Sequence, residues 1–445
     1  MDKLDCNERE NSISFSATGL EEGTSKIGHD KIDKELDSGS KQRLMMSLLK
    51  AKAKNSSLTI TKVNRDEKIP LSWSQQQLWL ISQLDSQASR AYHVPLIVKF
   101  KGVINTTRLN DAYKTIIERH EILRTNIRVD EYGVPYQYVN PEYLGKIEEI
   151  YLDRSLKEND QKQAYDELVA ELVSAPFDFE FSAPIRTSLI SLDNNKSSLL
   201  IVLHHIVSDA WSLGCFTREL SILYNAFLLG QESPLQPLPI QYADYAVWQR
   251  SYLQDQKIEK DMAYWKDKLC NVPILNLPTD RHRPSIPSYS GDRVDLILDS
   301  ELAQGLKNLG GANGATMFMT LLSVFKILLK RYTGQSDICV GTPLANRPFD
   351  ELVPLIGYFV NTLALRSCIN LSESFIDILK QIKEVTRSAL EHQMLPFEKV
   401  VELVRPARSQ SHSPIFQVMI ALQNVGGVDA RLTSTEVEYE NPICT

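Results

Sequence analysis

Residues capable of acid–base, charge-pairing or nucleophilic chemistry crowd into one stretch, LLIVLHHIVSDAWS at Leu199–Ser212, which holds His204, His205, Asp209 and Ser212. An imidazole titrates near neutrality and can take or give a proton in a transition state. The apolar run Leu199–Leu203 reads as a strand buried on both faces, and helical periodicity sets in at Trp211. The two histidines therefore sit at a strand end. Adjacent strand positions point to opposite faces, so only one imidazole can line a given cavity. Asp209 stands next to the helix start, where a carboxylate either caps the helix or pairs with a cation behind the site. Ser212 near His205 suggests a hydrolase triad, but no G-x-S-x-G elbow is present and a serine at a helix start is usually a cap. Taken alone, a histidine pair at a strand end serves structure more often than chemistry.

The rest of the chain must hold that stretch in place. Its 445 residues are long for one core and predict two lobes. Apolar residues at 43% and aromatics at 8% suit a globular protein. A net charge of -7 argues against nucleic acid as the main partner, because phosphate binding needs a basic face. Cys6, Cys215, Cys270, Cys339, Cys368 and Cys444 lack C-x-x-C spacing, so neither a zinc site nor a disulfide framework is expected, and reduced cytoplasmic thiols are. No metal site is indicated. No apolar segment reaches the length of a membrane span, and the N-terminus lacks a signal core.

Residues 1–37 are polar and acidic without a period and read as a flexible leader. Ser40 can cap a short amphipathic helix with Leu44, Met45, Leu48 and Leu49 on one stripe, followed by a polar linker over 55–67, so that 38–67 forms a helix-and-linker unit. The globular body follows as two units, 68–245 and 246–445. In the first, a helix is expected after Pro70, a strand over Tyr92–Phe100, a helix over Thr106–Arg119 and a strand over Pro184–Leu192, with Asn194 and Asn195 turning the hairpin into the central stretch. In the second, strands are expected over Val294–Leu298 and near Ile338–Gly341 and a helix over Thr316–Tyr332; Gly310–Gly314 reads as a turn, since no Lys-Ser/Thr follows for a phosphate loop.

Seven motifs fall in one order: PLSWSQQQLW at Pro70, RHEILRTNI at Arg119, HHIVSDAWS at His204, QYADYAVWQR at Gln241, IGYFVNTLALR at Ile356, HQMLPFEKVVE at His392 and RSQSHSPIFQVMIALQN at Arg408. Two patterns flank them, APFDFEFSAPIRTSLI at Ala175 and the proline-rich NLPTDRHRPSIPSYSG at Asn276. Together they resemble the condensation domains of nonribosomal peptide synthetases, whose histidine motif is HHxxxDG. Three positions depart from the pattern: Gln77 replaces a usual Arg, Ala210 the Gly of the histidine motif, and Met394 a usual Asp.

The resemblance implies an α/β fold of two chloramphenicol acetyltransferase-like lobes in a V-shaped pseudo-dimer, with the histidine motif at the junction. It implies an acyltransferase: the amine of an acceptor aminoacyl thioester attacks a donor aminoacyl or peptidyl thioester, both carried on phosphopantetheine arms of carrier proteins. The chain itself is expected to bind no cofactor, and its partners are the donor and acceptor carrier proteins and adjacent synthetase domains. His205 is implied as the catalytic histidine and His204 as structural. Asp209 is implied to pair with Arg347 of the ANRP segment, and Arg119 and Arg124 to brace the active-site channel. Trp211, Ser212, Trp248 and Asn361 complete the supporting set. The PLSWSQQQLW opening and the Ala-Trp-Ser-Leu-Gly continuation resemble the subtype with an L-configured donor. A starter subtype that takes an acyl donor and a non-catalytic relative that recruits carrier proteins are the alternatives. The family continues beyond the seventh motif through a strand, for which Ser434–Tyr439 is the candidate, into further elements of the second lobe. An incomplete second lobe with an exposed apolar patch is therefore expected.

Overall fold

The computed structural model describes residues 59–193, 195–254, 258–284, 291–406, 411–423 and 436–440. The expected leader, the helix from Ser40 and Asn194 lie outside these.

The first half opens with β1 (Ile69–Pro70), α1 (Trp73–Leu84) and the short α2 (Ser86–Arg90). Ser72 and Gln75 close a reciprocal capping box at the start of α1. β2 (His93–Lys101) leads into α3 (Thr106–Arg119), where Leu109, Ala112, Tyr113, Ile116 and Ile117 recur at helical spacing and are all buried. β3 (Thr125–Val129), β4 (Pro135–Val139), β5 (Glu148–Tyr151) and α4 (Glu158–Ser174) follow, then β6 (Ile185–Ser191), β7 (Lys196–His204), the long α5 (Ala210–Leu228) and α6 (Tyr242–Tyr252). β7 is buried on both faces, as its composition predicts. Leu199, Ile201 and Leu203 join the core containing α3 and α5, while Leu200 and Val202 face Tyr165, Val169 and Val173 of α4.

A second core forms around α7 (Ile258–Leu269), α8 (Ser300–Ala312), α9 (Met317–Thr333), β8 (Asp337–Leu344), β9 (Asn361–Cys368), α10 (Phe375–Glu391) and α11 (Phe397–Val404). β8 and β9 pair antiparallel from Asp337↔Cys368 to Leu344↔Asn361. Thr316 caps α9 and Gly334, at φ 73°, ends it. Inside this core Lys326 is fully buried, its ammonium 2.6 Å from Leu365 O, 2.6 Å from Ser367 Oγ and 3.2 Å from Ile338 O. Three donors thus meet three acceptors.

The chain does not keep to its halves. Leu352, Leu355, Ile356 and Phe359 are buried in the first core, and β10 (Glu436–Glu440) pairs antiparallel with β2, making a five-stranded sheet ordered β10-β2-β7-β6-β5. The strand expected near Ser434–Tyr439 therefore exists, but it extends the first sheet rather than the second lobe; β2 has an open edge for it.

Other expectations are corrected. Residues 59–67 are no free linker: Arg65 bonds Glu121 and Asp244 at 2.7 Å each, and Ile60 packs on the core. Val294–Leu298 forms no strand among the described residues, because no edge runs beside it; Val294, Leu296 and Ile297 are 94%, 85% and 92% exposed. Gly310 and Gly311 belong to the last turn of α8, and the turn itself is made by Asn313 and Gly314, at φ 61°. Gly310 is needed there, since a Cβ would meet the Thr320 hydroxyl.

Candidate functional site

β7 ends at His204, and His205 begins a single turn of 3-10 helix rather than continuing the strand. The two imidazoles are set in opposite tautomers by the backbone. His204 Nδ1 accepts from Ile206 N at 3.0 Å, which leaves its proton on Nε2, 3.4 Å from Ser89 Oγ. His205 Nδ1 lies 2.8 Å from the carbonyl of Ser208. A carbonyl only accepts, so Nδ1 carries the proton and Nε2 keeps its lone pair. Among the described residues that Nε2 has no hydrogen-bond partner.

Their surroundings divide the roles. His204 is fully buried among the rings of Phe179, His93 and Phe177 at centroid distances of 4.8, 5.8 and 6.0 Å. Burial, with His93 and His205 nearby, drives its pKa down to about 3, so it is a neutral core residue. His205 is half-buried, its ring 5.6 Å from that of Tyr358. Burial lowers its pKa below 6.5 against the opposing pull of the Ser208 carbonyl and Asp209. It is a neutral base at pH 7.

Asp209 takes both roles open to it. As N-cap of α5 its Oδ1 accepts from Ser212 N at 2.8 Å, and Arg347 Nη2 reaches Oδ1 at 3.0 Å and Oδ2 at 3.2 Å. Phe359 N donates to Oδ2 at 3.2 Å, so the carboxylate is saturated. Arg347 Nη1 also donates to the carbonyls of Leu352 and Leu355, at 2.7 and 2.8 Å. Ser212 is not the cap: it sits one turn in, its single hydroxyl hydrogen shared between Asp209 Oδ1 at 2.7 Å and Gly357 O at 2.9 Å, while its oxygen accepts from Gly357 N and Arg347 Nη2. No histidine touches its hydroxyl, so no triad is assembled. Ala210 opens α5 without positive φ, so the backbone has no need of the Gly found there in the family pattern.

The remaining predicted residues serve the scaffold. Trp211 Nε1 donates to Val353 O at 2.9 Å. Arg119 bonds Glu219 of α5 at 3.1 Å, and Arg124 bonds Asn140 O at 3.3 Å; both are half-buried, and neither hydrogen-bonds the histidine motif. Trp248 stacks on Tyr252 and meets Phe349 edge-on, each at 5.3 Å. Asn361 ties β9 to the segment before α11 through Gln393 O, Leu395 O and Phe397 N. Gln77 is exposed on α1.

Several residues that hold the motif loop were not singled out from the sequence. Gln75 Nε2 donates to Ile206 O at 3.0 Å. Tyr242 donates to Tyr358 O at 2.8 Å and packs so closely on Gly357 that a Cβ there would collide with its ring. All lie inside the quoted motifs, but only the fold reveals what each touches.

Two segments distant in sequence thus converge on one histidine whose accepting nitrogen is left open. The family model for condensation domains matches residues 65–442. This chain belongs to the condensation-domain family. It is 41% identical over 367 residues to one of the linear gramicidin synthase proteins of Brevibacillus parabrevis, covering 82% of the chain and 7% of that protein. It is 40% identical over 388 residues to malpinin synthetase of Mortierella alpina, covering 87% of the chain and 5% of that protein. The chain therefore spans a small fraction of these multidomain relatives. Among solved structures it is similar to the X-domain from teicoplanin biosynthesis, with a TM-score of 0.76 and 28% identity, covering 86% of this chain and 84% of that one. No single helix among the described residues is long and apolar enough to cross a membrane.

Proposed function

We propose that this condensation domain forms an amide bond between a donor aminoacyl or peptidyl thioester and the amine of an acceptor aminoacyl thioester, each on the phosphopantetheine arm of a carrier protein. The observation that carries this reading is the free lone pair of His205 Nε2. The acceptor amine attacks the thioester carbonyl, a C–N bond forms and the C–S bond breaks. The amine's surplus proton passes through Nε2 to the departing thiolate. An α-amine titrates near pH 8, so a fair share is already neutral at pH 7 and His205 acts at least as much by positioning the nucleophile as by deprotonating it. His204, Asp209 and Arg347 act by fixing the loop that carries His205.

The two cores are read as the two chloramphenicol acetyltransferase-like lobes of a V, with units near 68–245 and 246–445, and an L-configured donor is favoured by the motif forms. Mixing the protein with two loaded carrier proteins tests the reading, with dipeptidyl product on the acceptor carrier as the expected mass. No product from verified, loaded carriers would overturn it. The similar X-domain from teicoplanin biosynthesis is also solved in complex with OxyB, which supports a second reading, recruitment of partner proteins without catalysis; for this chain it predicts carrier binding with no product.

A further inference from the structure

The loop that meets the histidine motif is tied down at every residue from Ile356 to Phe359. Ile356 N donates to His120 Nδ1 at 3.4 Å, and Gly357 meets Ser212 Oγ through both its N–H and its carbonyl. Tyr358 O accepts from the Tyr242 hydroxyl at 2.8 Å, and Phe359 N donates to Asp209 Oδ2 at 3.2 Å. All these partners lie in the first half of the chain. The Phe359 ring is fixed as well, 4.0 Å from the guanidinium carbon of Arg347.

The Tyr358 side chain is the exception. Its ring lies 5.6 Å from that of His205, inclined by 58°, and its hydroxyl has no hydrogen-bond partner among the described residues. His205 Nε2 has none either. Both residues are half-buried, and neither free atom is sealed from solvent. A rigid backbone thus holds an uncommitted phenol against an uncommitted imidazole, the arrangement expected of groups that act on a third molecule. Burial, with Glu398, Tyr92 and Asp209 nearby, raises the phenol above the ordinary value near 10, so it stays an O–H donor at neutral pH.

The two free atoms are complementary, an acceptor beside a donor, and amide formation at a thioester needs both. As the amine nitrogen bonds to the carbonyl carbon it gains a proton to shed, and the C=O π pair moves onto the oxygen. A fixed O–H aimed at that oxygen is worth more than water, because it does not have to reorient when the charge appears.

We propose that the Tyr358 hydroxyl donates a hydrogen bond to the carbonyl oxygen of the donor thioester and stabilises the oxyanion that forms there, while His205 serves the amine. This inference rests on the amide-forming reading of the site. No proton leaves Tyr358: on collapse the electron pair returns to the carbonyl, the C–S bond breaks, and the thiolate takes the amine's proton by way of His205 Nε2. Tyr358 is then a catalytic residue supplied by the second half of the chain, and the backbone anchors around it are positioning contacts.

The test uses two unreactive donor analogues on a carrier arm, one with a planar ketone in place of the thioester and the other with a tetrahedral, anionic phosphinate. The full chain is expected to bind the phosphinate about tenfold or more tightly than the ketone, and Tyr358→Phe to bind the two about equally with its ketone affinity unchanged. With reactive substrates, Tyr358→Phe should lower kcat roughly 100-fold and leave both KM values and the acidic limb of the pH profile in place. The variant keeps the ring and every backbone bond, so it should melt like wild type. If Tyr358→Phe retains the phosphinate preference, or weakens both analogues alike, the inference is wrong and Tyr358 only packs against His205. A wild-type chain with no preference would overturn it equally. Should Tyr358→Phe fail to fold, a fluorinated tyrosine at position 358, of nearly the same shape but a stronger donor, should bind the phosphinate more tightly than wild type, and no change would be decisive against the inference. A wild-type chain that makes no dipeptide yet shows a preference that Tyr358→Phe abolishes would sink the amide-forming reading alone.

Discussion

Asp209 and Arg347 are separated by 138 residues, yet they form a buried ion pair in which Nη2 contacts both carboxylate oxygens within 3.2 Å. The pair joins the start of α5 to the loop after β8, and every lone pair of Asp209 is spoken for. Removing one partner leaves the other buried and uncompensated, so Asp209→Ala and Arg347→Ala should each lose about 3 to 5 kcal/mol of unfolding free energy in chemical denaturation. The double variant should lose less than the two single losses added together, because the second truncation removes a charge already stranded.

His205 is held neutral at pH 7 by burial, with Nδ1 as the donor. The condensation rate should therefore show an acidic limb as pH drops through a value below 6.5, where Nε2 is protonated. A separate rise toward about pH 8 should follow the acceptor amine. His205→Ala should lower the rate by roughly 100-fold or more while the protein still melts cooperatively. It should also abolish the acidic limb of the profile.

Lys326 gives the opposite kind of pH dependence, in stability rather than rate. Burial brings its pKa down to about 7 from the ordinary lysine value of 10.5. Between those values the unfolded chain binds a proton that the folded protein has released, so stability should rise with pH across the window and be lowest at or below its acid end. The slope cannot exceed about 1.4 kcal/mol per pH unit. Lys326→Met should remove this slope, which urea titrations from about pH 7 to about pH 9 would reveal. A slope that survives the substitution would assign the effect to another group.

Gly357 and Gly214 make a matched pair. A Cβ at Gly357 would enter the Tyr242 ring, so Gly357→Ala should cost about 1 to 3 kcal/mol through overpacking and should disturb the loop that meets Ser212. Gly214 lies inside α5 with nothing within 4 Å of the added carbon. Gly214→Ala should instead stabilise by about 0.5 to 1 kcal/mol, measured by the same thermal melts.

Local patterning made most of the helices and strands legible, and the family resemblance added the Asp209–Arg347 pair. Thr106–Arg119 is a helix at both predicted ends, because its apolar spacing and its Asn105 cap act over neighbouring residues. Val294–Leu298 misled for the complementary reason. Its composition suits a strand, but a strand is completed by a partner edge that composition does not specify. Ser212 misled by one helical turn, since Asp209 competes for the cap and wins. The histidine tautomers depend on the Ile206 amide and the Ser208 carbonyl, whose directions are fixed only by the folded loop, and no spacing rule encodes these.

The placement of β10 against β2 has a consequence for biosynthesis. Its register runs from Glu436↔Lys101 to Glu440↔Ile97, so the last strand of the first sheet is made more than three hundred residues after its neighbour. While the intervening chain is being synthesised, β2 can pair with β7 on one side only, and its other edge stays open to wrong partners, including the same strand of another nascent chain. Closing a loop of that length is slow rather than prohibitively unfavourable. The first sheet should thus be the last part of the molecule to become resistant to proteolysis, and a chaperone that shields strand edges should raise the yield of folded protein more than one that shields helices.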